Sequence, residues 1–293
     1  MPDKILVTGA TGNVGGEVLK QLAGLRVSVR ALVRNRTKAA AIEGPDVEIV
    51  EGDMSKPSTL APALDGVRKL LLLSSPDPGQ AALQNGVIDA AKRAGVRHIV
   101  KVSAMGAALD APMSFGRWHA EIERYLEQSG VPFTILRPNF FMQNMLMSAG
   151  TIVAEGKFYG SMKDGKASFV DARDIAAVAA HALAGSGHEG KSYQITGPEA
   201  LSFADVARKL AAALKKPVSY VDIPREPLIQ AMTGAGMPDW QARAIAELYD
   251  WGSQGGFAEV TDVVAKIGKK QPITFDQFAS DVAGAFERTT TAR

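Results

Sequence analysis

The stretch KILVTGATGNVG, residues 4–15, restricts the fold of this chain more than any other feature of its sequence. An apolar run leads into Gly9, Gly12 and Gly15, and a helical pattern follows at once. Strand, glycine turn and helix in that order is how a parallel α/β sheet holds a pyrophosphate. Gly9 permits the tight turn, Gly12 lets backbone come close to a phosphate, and Gly15 lets the helix pack on the strand. The helix N-terminus adds free N–H groups and the positive end of its dipole. A glycine triplet alone is a weak signal, and a plain turn without ligand is the competing reading. The flanking strand and helix decide for the phosphate.

The first half of the chain keeps that rhythm. Short apolar runs predict strands at residues 4–8, 27–33, 47–51, 69–73, 98–103 and 133–136. Between them, amphipathic stretches predict helices at 13–22, 36–42, 58–64, 80–94 and 116–129. Continuous apolar strands alternating with helices argue for an α/β fold, a doubly wound Rossmann-type parallel sheet. After Pro138 the pattern loosens. Helices are expected there at 175–184, 203–213, 240–250 and 275–286, with short strands at 192–195 and 218–221. The expected division is a nucleotide-binding domain over 1–138 and a smaller substrate lobe over 139–293, with 167–184 returning to the main sheet. Ligands of open α/β sheets bind at the carboxyl ends of the strands, so the lobe should close over that edge.

Composition excludes several classes of function. The chain has no cysteine, which removes disulfides, thiolate nucleophiles and cysteine-ligated metal. His98, His119, His181 and His188 show no metal-ligand spacing, so no metal is expected. Lys and Arg (33) barely exceed Asp and Glu (31), without a like-charge block, which disfavours a nucleic-acid partner. No apolar run approaches bilayer length, and the chain enters its first strand without a signal-peptide pattern. A cytoplasmic protein with no membrane partner is expected, and a homo-oligomer is not indicated. Residues 288–293 are expected to fray.

Several motifs carry a resemblance. GATGNVG, ALVRN at the second strand end, EGDM at the third and LRPNFFMQN at the sixth resemble the NmrA-like branch of the atypical short-chain dehydrogenase/reductases. VDARDIA and HEGKSYQITGPEALSF extend the resemblance over most of the chain. Within that branch the chain is similar to flavin-free NAD(P)H-dependent quinone, azo-dye and triphenylmethane-dye reductases. Relatives also include non-catalytic dinucleotide sensors. The resemblance implies cofactor contacts from Thr11, Asn13 and Val14 beside the three glycines, and from Asp53 and Met54 flanking the adenine. It implies further contacts from Ser74, Ser75, Ser103, Asn139 and Phe140 at later strand ends. Asp53 reads equally as a turn residue, since Lys56-Pro57 follows.

The residues themselves bear on which dinucleotide. An NAD-selective site carries a carboxylate about 20 residues past the glycines. Here the second strand ends Val33-Arg34-Asn35-Arg36, and Lys38 follows. Guanidinium pairs with phosphate in bidentate, charge-assisted geometry, so Arg34 is read as the 2′-phosphate partner and NADPH as preferred over NAD. Lys38 either joins it or solvates a helix start.

Typical short-chain dehydrogenases move a proton at an alcohol oxygen with a serine and a YxxxK pair. The resemblance puts Ser103 at the serine and Phe115-Gly116-Arg117-Trp118-His119 across the pair, so the tyrosine acid is missing. Hydride addition to a simple ketone makes an alkoxide of pKa about 16, whereas a quinone yields a phenolate-like oxygen near about 10. At ~1.36 kcal/mol per pKa unit, the difference is about 8 kcal/mol. Quinones and conjugated dyes are therefore within reach, and plain ketones are not. His119 is the candidate proton donor, or else only hydrogen-bonds beside the cofactor.

Phe140 and Phe141 are expected to cover the nicotinamide and stack on a flat aromatic substrate. Trp118, Phe158, Tyr159, Met232 and Met237 are further wall candidates, with core packing the competing reading. The sequence thus predicts an NADPH-dependent reductase of a small aromatic electrophile, without flavin or metal. A dinucleotide-sensing regulator with a protein partner is the alternative.

Overall fold

The computed structural model describes residues 3–25, 27–39, 42, 44 and 47–287. Its strands are β1 (Lys4–Val7), β2 (Val29–Val33), β3 (Val47–Glu51), β4 (Val67–Leu72), β5 (His98–Val102) and β6 (Phe133–Pro138), followed by β7 (Lys157–Gly160), β8 (Lys166–Ala167), β9 (Lys191–Ile195), β10 (Leu201–Ser202) and β11 (Ser219–Asp222). The helices of the first half are α1 (Asn13–Gly24), α2 (Pro57–Leu64), α3 (Gln80–Arg93) and α4 (Ser114–Gln128). Later come α5 (Ala149–Glu155), α6 (Ala172–Ala184), α7 (Phe203–Leu214), α8 (Arg225–Gly234), α9 (Asp239–Ser253), α10 (Val263–Lys266) and α11 (Phe275–Asp281).

Seven strands make the main sheet in the order β3-β2-β1-β4-β5-β6-β9. Every neighbouring pair is parallel, so this is the doubly wound α/β sheet the sequence predicts. Strand order reverses between β1 and β4, which opens a crevice at their carboxyl ends. One face is covered by α1 and α6, through Val18, Leu22, Ile175 and Val178 packed on Val7 and Val100. Six alanines on the buried side of α6 let that helix lie close against α1 and the sheet. Leu60, Ile88, Ile122 and Leu126 of α2, α3 and α4 cover the other face over Leu70 and Ile99. A separate aromatic core, with Phe140, Phe158, Phe169, Phe203, Phe257 and Phe275, fills the smaller lobe. Among the described residues no helix is long and apolar enough to cross a membrane.

Three expectations change. The strand expected at 192–195 in the smaller lobe is β9, the edge strand of the main sheet beside β6. A parallel neighbour needs a crossover, and α6 supplies it. The helix expected at 36–42 is a single 3-10 turn over Arg36–Lys38, started by Asn35, whose side chain accepts from Thr37 N at 2.8 Å; residues 40 and 41 lie outside the described residues. The helix expected at 275–286 breaks after Asp281 and resumes as a 3-10 turn over Ala283–Phe286, where Gly284 weakens helical continuity. Residues 288–293, expected to fray, also lie outside the described residues.

One buried histidine makes the fold acid-sensitive. His98 is 2% exposed, with Nε2 at 2.8 Å from Thr134 Oγ1. Thr134 donates its own proton to His188 O at 2.7 Å, so His98 must be the donor in the first bond. Its Nδ1 is then buried without a partner among the described residues. Burial pushes the His98 pKa down to about 4, with Glu189 pulling the other way. The unfolded chain, titrating near about 6.5, therefore binds a proton that the folded chain refuses until pH 4. This stability is present above pH ~6.5 and is lost as pH falls toward 4, by about 3 kcal/mol. His98→Gln keeps a donor to Thr134 and cannot titrate. Its melting temperature should fall between pH 6.5 and 4 by roughly 5–10 °C less than that of the wild type. Parallel melting profiles would clear His98 of the effect.

Candidate active site

The glycine loop is built as a phosphate cradle. Thr8 ties the end of β1 to β4: its hydroxyl donates to Leu73 O at 2.8 Å and accepts from Leu73 N at 2.8 Å. Gly9 adopts φ +61°, a left-handed conformation that a side chain strains. A Cβ on Gly15 would lie 2.2 Å from Gly9 O, so only glycine lets α1 pack on the turn. Gly12 has ordinary extended backbone, and a Cβ there would meet only Gly9 O at 3.3 Å. No side chain caps α1 and no acid stands in its first turn. Thr11, Gly12 and Asn13 are exposed, whereas Val14 and Gly15 are buried. The uncapped N–H groups and the helix dipole fit a pyrophosphate.

The neighbouring strand ends carry the other candidates. Arg34 is exposed just past β2, and Lys38 closes the 3-10 turn that follows. Asp53 Oδ1 accepts from Ser55 N at 2.9 Å and Ser55 Oγ at 2.8 Å, so this one carboxylate oxygen serves the turn. Those bonds, more than Lys56 or Arg34, hold its carboxyl below the usual range. Met54 packs at the edge of the α2–α3 core. Ser74 accepts from Gln84 Nε2 at 2.8 Å, and Ser75 is exposed beside it.

Between this edge and the smaller lobe lies a cavity of about 540 Å³. Ser103 and Met105 enter it after β5, Phe115 and His119 from α4, and Phe140, Phe141 and Asn144 after β6. Tyr159, Met232, Met237 and Tyr249 close it from the smaller lobe. Among the described residues, no Asp, Glu, Lys or Arg lines it. Two expected wall residues are elsewhere. Trp118, one position before His119 and so turned about 100° around the helix, meets Phe115 edge-on and Trp240 at a tilt outside the cavity. Phe158 is 1% exposed and packs on Phe203 and Tyr220, because successive residues of β7 point to opposite faces and Tyr159 takes the cavity side.

Asn139 braces the wall. Its amide donates to Ser168 Oγ at 2.9 Å and Phe257 O at 2.8 Å, and accepts from Phe140 N at 2.6 Å. The side chain is 3% exposed and serves the loop, which makes direct cofactor contact by this amide an unfavourable use of it. Phe140 itself sits 7% exposed among Phe169, Phe203, Tyr249 and Phe257.

A buried polar network stands behind His119. Lys101 is fully buried in the middle of β5. Its Nζ donates to Val102 O at 2.7 Å and lies 2.9 Å from His119 Nδ1. Burial pushes the Lys101 pKa down to about 7, against the pull of Glu123. Burial, and then the Lys101 charge, hold His119 well below the ordinary histidine range, so its ring is neutral at pH 7. Ser103 donates to Glu123 Oε1 at 2.5 Å, and Arg137 holds the same carboxylate from Nε at 3.0 Å and Nη2 at 2.5 Å. The serine proton is thus committed to Glu123.

Sequence reasoning missed Tyr249. The hydroxyls of Tyr125, Tyr159, Tyr193 and Tyr220 are bonded to Asp89, Glu155, His188 and Asp222. Tyr249 has no such partner among the described residues, lines the cavity and lies nearly parallel to Phe140, 6.1 Å between centroids. Burial pushes its pKa up to about 12, so it is a proton donor throughout the neutral range. It lies in the C-terminal half of α9 in no motif, and only the tertiary fold brings it to the cavity.

Comparison with known proteins agrees with this architecture. The model of the NmrA-like family matches residues 1–279. The chain is 44% identical to the NAD(P)H azoreductase of Xenophilus azovorans over 282 residues, 96% of this chain and 99% of that protein. The NADPH complex of the quinone oxidoreductase of Escherichia coli superposes with a TM-score of 0.87 at 33% identity, over 95% of this chain and 99% of that one. The triphenylmethane reductase of Citrobacter, in complex with NADP(H), gives 0.84 at 28% identity, again over 95% and 99%. Because the family match spans both the sheet with its glycine loop and the lobe that closes the cavity, the chain belongs to the NmrA-like family.

Proposed function

We propose that this chain is an NADPH-dependent reductase that delivers hydride directly to a quinone or a related conjugated aromatic electrophile, such as an azo or triarylmethane dye, without flavin or metal. The observation that carries the reading is the cavity past the ends of β5 and β6, without a charged residue in its described lining, walled by Phe140, Phe141 and methionines, with His119 in it and Phe115 where the family resemblance expects a tyrosine. Relatives named as NAD(P)H azoreductase and NADPH-dependent quinone oxidoreductase support it.

The uncapped first turn of α1 holds the pyrophosphate, Arg34 the 2′-phosphate, and the strand-end residues Asp53, Met54, Ser74 and Ser75 the adenosine and ribose side. When bound, the reduced nicotinamide supplies the hydride. Phe141 and the edge of Phe140 offer a flat apolar wall on which an aromatic acceptor stacks. His119 gives the proton that the new oxyanion takes up, and the acceptor must spread its own negative charge until then. The direct test is loss of reduced nicotinamide absorbance when protein, NADPH and a quinone panel are mixed. NADPH bound without turnover across quinones and dyes would favour the sensor instead.

Two further outcomes are expected. NADPH should bind about 10- to 100-fold tighter than NADH, because one charge-assisted contact from Arg34 to the 2′-phosphate is worth roughly 1.5–3 kcal/mol. Arg34→Glu should reverse much of that preference. Equal dissociation constants for the two dinucleotides in the unmodified protein would sink the assignment. Tyr249→Phe should raise KM for a quinone roughly fivefold, the worth of one neutral hydrogen bond of about 1 kcal/mol, and leave the NADPH dissociation constant alone. An unchanged KM would mean that the free hydroxyl does not meet the substrate.

A further inference from the structure

We propose that Lys101 is a positioning residue for His119: it holds the imidazole with its proton on Nε2, toward the cavity, and replaces that proton from behind through Nδ1. The proton-delivery half rests on the reductase reading above; the placement of the ring proton does not.

Lysine is out of place where Lys101 sits. It occupies the centre of a parallel sheet, in register with Leu72 of β4 and Ile135 of β6, and has no exposed surface. Burying a charge there is costly unless it has partners. Its partners are Val102 O and His119 Nδ1. An ammonium can only donate, so Nδ1 must accept, and the single proton of the neutral ring sits on Nε2. That nitrogen has no hydrogen bond among the described residues, and the ring lines the cavity. The hydrogen bond made by one ring nitrogen selects the tautomer and thereby what the other can do.

The surrounding charges leave this pair isolated. From α4, Glu123 faces the same layer, but its oxygens are taken by Ser103 and by Arg137 of β6. Its charge attracts the ammonium without taking its proton. Beside it β4 offers Leu70 and Leu72, and the buried polar residues of α3 are Gln80 and Gln84, which do not titrate. His119 is the one titratable group within hydrogen-bond distance of Nζ among the described residues.

The step balances with no redox change in either residue. A substrate oxygen that has become an anion takes the Nε2 proton. The Nδ1–H bond forms as an Nζ–H bond breaks, so the ring stays neutral and avoids becoming imidazolate. Lys101 is left as a neutral amine, which burial already favours. After product leaves, a solvent proton enters at Nε2 and the Nδ1 proton returns to Nζ. The sum is one solvent proton carried to the substrate oxygen.

The test is ¹⁵N NMR of the ligand-free full-length protein, with His119→Gln used to assign the His119 signals. Wild type at pH 6 should show protonated Nε2 and bare Nδ1. In Lys101→Met the two tautomers should mix, and His119 should titrate closer to the ordinary range because the neighbouring charge is gone. A wild-type ring protonated on Nδ1, or an unchanged pattern in Lys101→Met, would overturn the proposal. Should that variant fail to fold, wild type decides alone: the Nε2 tautomer must loosen as pH rises through about 7. With a quinone, wild-type kcat should fall above that pH. In Lys101→Met it should be about 5- to 10-fold lower and flat over the same range, with KM for NADPH unchanged. Identical pH profiles would overturn the relay. Absence of any wild-type turnover would defeat the reductase reading and the delivery step with it, while the NMR result would still decide the tautomer.

Discussion

Gly12→Val yields a folded protein that no longer binds its dinucleotide. The backbone at Gly12 is extended, φ −88° and ψ 174°, which valine adopts without strain. Its Cβ meets one atom, Gly9 O at 3.3 Å, and the rest of the side chain enters the exposed space in front of the first turn of α1. That space is where the pyrophosphate oxygens must approach the N–H groups. At 100 times its dissociation constant, NADPH should stabilise wild type by about 2.7 kcal/mol, and a loss of affinity of about 100-fold or more would erase almost all of this. Thermal unfolding with and without NADPH measures both halves of the claim. Gly15→Val is the control with a different fate, because its Cβ would lie 2.2 Å from Gly9 O and inside the packing of α1 on β1. If NADPH still raised the melting temperature of Gly12→Val, the pyrophosphate would have to bind elsewhere.

What the sequence discloses here is local, and what it hides is tertiary. The glycine loop is contiguous and its function depends on bond-scale sterics, so Gly9 and Gly15 could be assigned their tasks before any coordinates. The strand ends at Arg34 and after β6 were legible for the same reason. His119, Phe140, Phe141, Tyr159, Met232 and Met237 do meet in one cavity. The misplaced residues failed on parity: one step along α4 separates Trp118 from His119, and one step along β7 separates Phe158 from Tyr159. Neither an isolated helix nor a four-residue strand states which face is inward. β9 reads as a weak, polar strand (KSYQI), and only the α6 crossover shows that it completes the main sheet. Lys101 and Tyr249 were invisible because each gains its meaning from one partner brought near by packing: the imidazole of His119 and the open side of the cavity.

The discrimination between acceptors should be the largest effect of all. NADPH oxidation is expected with quinones and is expected to be negligible with aliphatic ketones. Phe115 stands where a tyrosine acid would be, and the Ser103 proton is bound to Glu123. Neither group can meet an alkoxide as it forms. The alkoxide from a ketone is less stable than a phenolate-like product by about 8 kcal/mol in proton affinity. If half of that difference is felt at the transition state, about 4 kcal/mol, the rates differ by roughly 1000-fold. His119 narrows the gap little, because its neutral ring is a weak acid and water can also protonate a phenolate slowly formed in the cavity. His119→Ala should therefore lower quinone turnover by about tenfold or less, at the low end of what general acids contribute. The wall is better probed at Phe141 than at Phe140, whose ring sits in the aromatic core and whose loss would cost about 3–5 kcal/mol of stability. Phe141→Ala should raise KM for a flat acceptor and leave NADPH binding intact. Efficient reduction of an unconjugated ketone would require an acid beside the nicotinamide stronger than Tyr249, whose hydroxyl burial pushes up to about 12, and would overturn the mechanism from its first step.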